Sequence, residues 1–234
     1  MIQGIVFDKD GTLFDFQATW GHWAQGVLLG LADGDAKRAA KMGKAIGYNM
    51  ADASFVPGSV VIAGTPREIA AEVLPFVKDA TLAGLVANMN AQAAMAPQVE
   101  SVPLKAYFAQ LRGLGLKIGV ATNDSEAPAR AHLAKADVLE DLDFVVGSDS
   151  GYGGKPEAGQ LAGFCETLRL QPEACLMVGD SLHDLIAGRA AGFGCIAVLT
   201  GPAGRADLED HADVVLNHIG EIPAYLDSLA HPNR

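Results

Sequence analysis

Short apolar stretches rich in valine and isoleucine recur along this chain, with helix-like segments between them. They fall at residues 2–7, 117–121, 143–147, 175–179, 195–199 and 213–216. Runs of this length suit strands, and their near-continuous hydrophobicity means burial on both faces, as in a parallel sheet. Helical patterns fill the intervals near 103–114, 125–136, 156–170, 182–192 and 220–230. Strand alternating with helix predicts an α/β fold: an open, mainly parallel, Rossmann-like sheet with helices on both faces. Ligands of such sheets bind beyond the carboxyl ends of the strands.

From about residue 16 to about residue 95 the alternation stops. Helical periodicity runs near 17–32, 34–47, 66–78 and 79–95, with a Pro57-Gly58 turn between the second and third segments. An all-helical insert after the first strand is the simplest reading.

Composition narrows the partners. The net charge of −11 argues against nucleic acid, whose binders carry a basic face. No apolar run approaches the ~20 residues that cross a bilayer. No basic leader or cleavage site precedes the run at Ile2, so a cytoplasmic protein is expected, without a membrane partner. Cys165, Cys175 and Cys195 are odd in number and form no CxxC pair, which reads as buried thiols in a reducing compartment. An acidic chain that takes an anionic substrate must build a local positive field for it.

Chemistry concentrates where the apolar runs end. Asp8-Lys9-Asp10-Gly11-Thr12-Leu13 follows Phe7. Asp8 falls at a strand end, Asp10 two residues on, and Gly11 permits a tight turn. Two close carboxylates can divide labour between attack or metal binding and proton transfer. They also repel, so a cation between them is expected. Gly179-Asp180-Ser181-Leu182-His183-Asp184 follows another run, with Asp180 at the strand end and Asp184 in the first turn of the next helix. Four carboxylates together favour Mg²⁺ over zinc. Helix capping by Asp180, Ser181 and Asp184 is the plainer role and does not exclude metal binding. Thr122-Asn123 follows the run ending at Ala121, where a hydroxyl and N–H groups can hold a phosphoryl oxygen. Lys155 precedes Pro156, which suits a helix first turn; a lysine there can neutralise a phosphoryl group.

These four motifs, in this order, resemble the phosphatase branch of the haloacid dehalogenase superfamily, over residues 1–15 and roughly 97–200. The resemblance implies that Asp8 is the nucleophile and Asp10 the acid/base, with its backbone carbonyl on Mg²⁺. It implies Asp180 as a further metal ligand, with Asp184 in an outer shell or holding Lys155. Thr122, the Asn123 amide and Lys155 would cradle the phosphoryl group. The Asp8 strand would lie between those of Thr122 and Asp180. The insert resembles the family's helical cap, giving a catalytic core of 1–15 and 96–234 and a cap of 16–95. The implied activity is hydrolysis of small phosphorylated metabolites, with phosphoglycolate the default substrate. A phosphomutase shares every core residue, and a catalytically silent binding protein is the alternative outside enzymes. Oligomeric state stays open.

Within the cap, Phe16, Trp20, Trp23 and Val27 recur at helical spacing, as a core stripe or a substrate face. Lys37, Arg38, Lys41 and Lys44 form a basic run that reads as a solvated face or a guide for anions. Arg67 is a looser candidate, and His183 reads as a local hydrogen-bonding residue.

Overall fold

The computed structural model describes residues 2–231, so Met1 and residues 232–234 of the expected core segment lie outside the described residues. Strand β1 (Gly4–Phe7) opens the chain. A helical block follows: α1 (Phe16–Leu31), α2 (Ala36–Ala45), α3 (Val60–Ala63), α4 (Pro66–Val73) and α5 (Leu82–Ala93). Between α2 and α3 a two-stranded antiparallel ribbon pairs β2 (Tyr48–Asn49) with β3 (Ser54–Phe55). The block is therefore not purely helical. Two residues per strand are too few for any period to register in the sequence.

The chain then alternates through α6 (Leu104–Gly113), β4 (Lys117–Ala121), α7 (Glu126–Lys135), β5 (Phe144–Val146), α8 (Gly159–Leu168) and β6 (Cys175–Gly179). It ends with α9 (Leu182–Ala191), β7 (Gly194–Val198), α10 (Arg205–Leu208), β8 (Val214–Leu216) and α11 (Ile222–Ala230). The six long-range strands form one parallel sheet in the order β5-β4-β1-β6-β7-β8. All four β1 residues are buried, as expected for a strand covered on both faces. Ile5 and Phe7 pack with Phe108 of α6 and Leu133 of α7, whereas Val6 packs with Leu161 and Phe164 of α8 on the opposite face. No described helix is long and apolar enough to cross a membrane.

One local expectation fails. Pro156 does not open a helix: Lys155 and Pro156 form a turn joined by a cis peptide bond, and α8 begins only at Gly159.

The helical block has an apolar cluster of its own, running from Phe16 to Ala96. Its entry and exit lie side by side. The Asp15 N–H donates to the Val99 carbonyl at 2.8 Å and the Ser101 N–H to the Leu13 carbonyl at 2.9 Å. Helix α1 starts because the Asp15 side chain accepts from the Ala18 N–H, and α4 starts on a Thr65/Glu68 capping box.

Candidate active site

Strands β4, β1 and β6 are parallel neighbours, so their carboxyl ends lie together. These ends deliver Thr122 and Asn123, Asp8, and Asp180 in turn. Lys155 Nζ, 147 residues from Asp8 in sequence, stands 2.5 Å from Asp8 Oδ1 and 2.6 Å from Asp184 Oδ1. The other Asp184 oxygen accepts from the Ser181 N–H at 3.0 Å and its hydroxyl at 2.6 Å, the capping box of α9. Asp184 is thus committed to Lys155 and to the helix start.

The cluster is short of positive charge. Asp8, Asp180 and Asp184 each place a carboxylate oxygen within 4.8 Å of the others, and all three are buried. Burial pushes the Asp8 carboxyl up to about 7; Asp184 and Asp10 add to the rise while Lys155 opposes it. Burial, then the charges of Asp8 and Asp184, hold Asp180 well above the usual carboxylate range. Burial disfavours the Lys155 charge, but Asp184 and Asp8 outweigh it and raise that lysine above its ordinary range. A hard, all-oxygen, anionic donor set with one internal cation fits a hard divalent ion rather than a soft one. The backbone is shaped for close approach as well. A Cβ on Gly11, whose φ is +82°, would come within 2.5 Å of Asp180 Oδ2, so glycine alone lets the first motif pass beside the fourth. Thr12 Oγ1 donates to Asp180 Oδ1 at 3.3 Å.

Thr122 Oγ1 accepts from the Asp124 N–H at 3.1 Å, which leaves its own proton to donate. Asn123 does more than its main chain suggested. Its side chain donates to the Lys155 carbonyl at 2.8 Å and accepts from the Lys155 N–H at 2.8 Å, clamping the turn that carries the lysine. It also donates to the Ala63 carbonyl of α3 at 2.7 Å, tying core to helical block.

Sequence reasoning passed over a second buried cation. Lys9 has no exposed surface. Its Nζ lies 2.7 Å from Asp10 Oδ2, 3.3 Å from Asp124 Oδ2 and 3.1 Å from His132 Nδ1. His132 Nε2 reaches the Ala93 carbonyl of α5 at 2.7 Å. A neutral ring protonated on Nε2 satisfies both contacts, and burial followed by the Lys9 charge lowers the His132 pKa to about 4. The available signal was a lysine placed between two acids, but its other partners, Asp124 and His132, are 115 and 123 residues away and no spacing reveals them. Lys9→Met should leave Asp10 and Asp124 facing each other without a counter-charge. Denaturant unfolding should show a loss of ~3–5 kcal/mol, the usual cost of removing one member of a buried ion pair. A loss below about 1 kcal/mol would mean that these acids do not depend on Lys9.

A cavity partly open to solvent joins these groups to the helical block. Asp8, Asp10, Thr122, Asn123, Lys155 and Asp180 line its core side, with His183 and Asp184. Phe16, Trp20 and Trp23 line it from α1 while also belonging to the block's apolar cluster; Val27 belongs to that cluster alone. The basic run does not reach the cavity. Lys37, Lys41 and Lys44 are exposed on α2, and Arg38 pairs with Asp33 at 2.6 Å. Arg67 is exposed and lies outside the lining too.

A phosphoglycolate phosphatase of Yersinia pseudotuberculosis is 30% identical over 224 residues, covering 94% of this chain and 91% of that protein. One of Chromobacterium violaceum is 38% identical over 112 residues, 48% of this chain and 50% of its own length. The crystal structure of CbbY from Rhodobacter sphaeroides in complex with phosphate superposes with a TM-score of 0.71 at 20% identity, covering 97% of this chain and 100% of that one, and so shares the fold. The family model for haloacid dehalogenase-like hydrolases matches residues 2–192, and the chain belongs to that family.

Proposed function

We propose that this chain is a Mg²⁺-dependent phosphomonoester hydrolase of small phosphorylated metabolites, working through an aspartyl-phosphate on Asp8. The observation that carries the reading is the buried Asp8–Lys155–Asp184 arrangement, open on one side to a cavity roofed by the helical block. Asp8 and Asp180, with the Asp10 carbonyl, would hold Mg²⁺, which when bound supplies the missing positive charge beside a phosphoryl oxygen.

Asp8 attacks phosphorus, and the bond from phosphorus to the leaving oxygen breaks. Lys155 and the Thr122 hydroxyl stabilise the charge on the transferring group. In its protonated form Asp10 gives a proton to the departing alkoxide, which leaves it a carboxylate paired with Lys9. It then takes a proton from the water that attacks phosphorus, which breaks the Asp8–phosphorus bond and frees inorganic phosphate. Lys9 sets the position of Asp10 for both transfers through the 2.7 Å contact. The helical block covers the site and excludes bulk water, which strengthens the Lys155 field and restricts access to small substrates. A phosphomutase would need polar groups in the cover to hold a second phosphoryl group, and Asn90 is the polar residue that the block contributes to the lining.

Asp10→Asn tests the division of labour. Phosphorylation of Asp8 should slow by ~10²–10⁴-fold for alkyl phosphates, whose leaving groups need a proton, and by less for aryl phosphates. Rapid-quench measurement of the phosphoenzyme separates the two steps. An equal loss for both substrate types would remove Asp10 from the proton-transfer role.

The names of the relatives bring phosphoglycolate forward as the reference substrate. The composition of the cavity bears directly on that choice.

A further inference from the structure

We infer that the physiological leaving group is neutral and largely apolar, a ring or short hydrocarbon, and that it carries no second anion. The inference rests on the phosphatase reading, because it takes the phosphoryl group to lie between Lys155 and Thr122. The remainder of the substrate must then extend toward the helical block. There the wall is built from Trp20, Trp23, Val61, Ile69, Met89 and Ala93. Trp20 and Trp23 meet edge to face, with ring centroids 5.0 Å apart, a rigid aromatic corner against which a ring or chain can pack.

Charge agrees with shape. Among the described residues, no Lys, Arg or His between 16 and 95 lines the cavity. Lys9 lies 5.3 Å from the Trp20 ring, but Asp10 and Asp124 neutralise it. Asp10 and Asp124 themselves contribute to the lining, so Lys9 offers no free positive charge to it. His183 stands on the core side of the lining; against the wall of the helical block itself, a carboxylate or a second phosphate would lose its water and meet no basic side chain, a heavy desolvation cost. Polar capacity is small and specific. The Asn90 amide already donates to Ser125 Oγ at 2.9 Å. The indole N–H of Trp23 is buried and has no partner among the described residues.

The experiment compares kcat/KM of the purified protein with Mg²⁺ on benzyl phosphate, n-hexyl phosphate, 2-hydroxyethyl phosphate and phosphoglycolate. All are primary alkyl esters, so differences in intrinsic leaving-group reactivity are small. Benzyl and hexyl phosphate should exceed phosphoglycolate by about tenfold or more, the scale on which a few buried methylenes discriminate. Ile62→Arg, a half-buried lining position, should reverse the order by lowering KM for phosphoglycolate and raising it for benzyl phosphate. Ala63→Lys repeats the test at a half-buried neighbour if the first variant does not fold. Turnover of all four esters with phosphoglycolate equal or preferred would overturn the apolar leaving group and leave the phosphatase reading standing. No turnover of any ester would overturn the phosphatase reading, and this inference with it.

Discussion

Asp8→Asn is expected to lower turnover by at least ~10³-fold while the protein stays folded. An amide cannot form the acyl phosphate that a carboxylate forms, so the covalent step disappears. The amide is nearly the same size, and its oxygen can still accept from the Lys155 ammonium that now sits 2.5 Å from Asp8 Oδ1. The exchange also removes one of three clustered acids from a region with a single lysine, which eases rather than strains the folded state. Three measurements check this. Circular dichroism and urea unfolding should match the wild type closely, and rapid quench with labelled substrate should find no phosphoenzyme. Activity within about tenfold of wild type, or a phosphoenzyme that forms in the variant, would place the nucleophile elsewhere.

Metal removal should have an effect of similar size. Excess chelator is expected to cut turnover by at least ~10³-fold, and added Mg²⁺ to restore it. Ca²⁺ should bind yet support little turnover, because its larger and looser shell can take both Asp8 oxygens and occupy the one that attacks. A second readout does not depend on catalysis. A ligand that binds only the folded state stabilises it by ~2.7 kcal/mol at a hundredfold excess over Kd. Mg²⁺ should therefore raise the melting temperature of the wild type, and Asp180→Asn should abolish most of that rise. Asp184→Asn should weaken it less, since Asp184 oxygens are engaged by Lys155 and Ser181. Full activity in chelator, equal rates with Ca²⁺, or no thermal shift with Mg²⁺ would each contradict the metal site.

The family resemblance and the comparisons agree because the motifs that carry it are contiguous. Asp8 to Thr12 and Gly179 to Asp184 each sit within six residues, directly after a run whose hydrophobicity declares a buried strand. Such local signals need no knowledge of the rest of the chain. Helix positions were legible for the same reason: α1, α5 and α9 start or stop at ordinary caps such as Asp15, Thr81 and Gly192. Where local chemistry misled, a nearby tertiary demand had overridden it. Pro156 is well suited to a helix start, yet Lys155 must reach Asp8 and Asp184, and the Asn123 side chain holds its backbone in a turn.

Everything that depends on distant residues meeting was invisible in one dimension. Periodicity marks a strand but says nothing of its neighbour: the place of β1 between β4 and β6 came only from the resemblance, and the full order β5-β4-β1-β6-β7-β8 only from the pairing itself. Lys9 looks like an ordinary charged residue until Asp124 and His132 close around it. The apolar stripe of α1 could not be divided between core and cavity, because Trp20 and Trp23 serve both once α4 and α5 complete the wall. Hydrophobic pattern and turn chemistry act over a few residues and are written in the chain. The electrostatics of the site and the character of its cavity arise from packing elements that sequence leaves far apart.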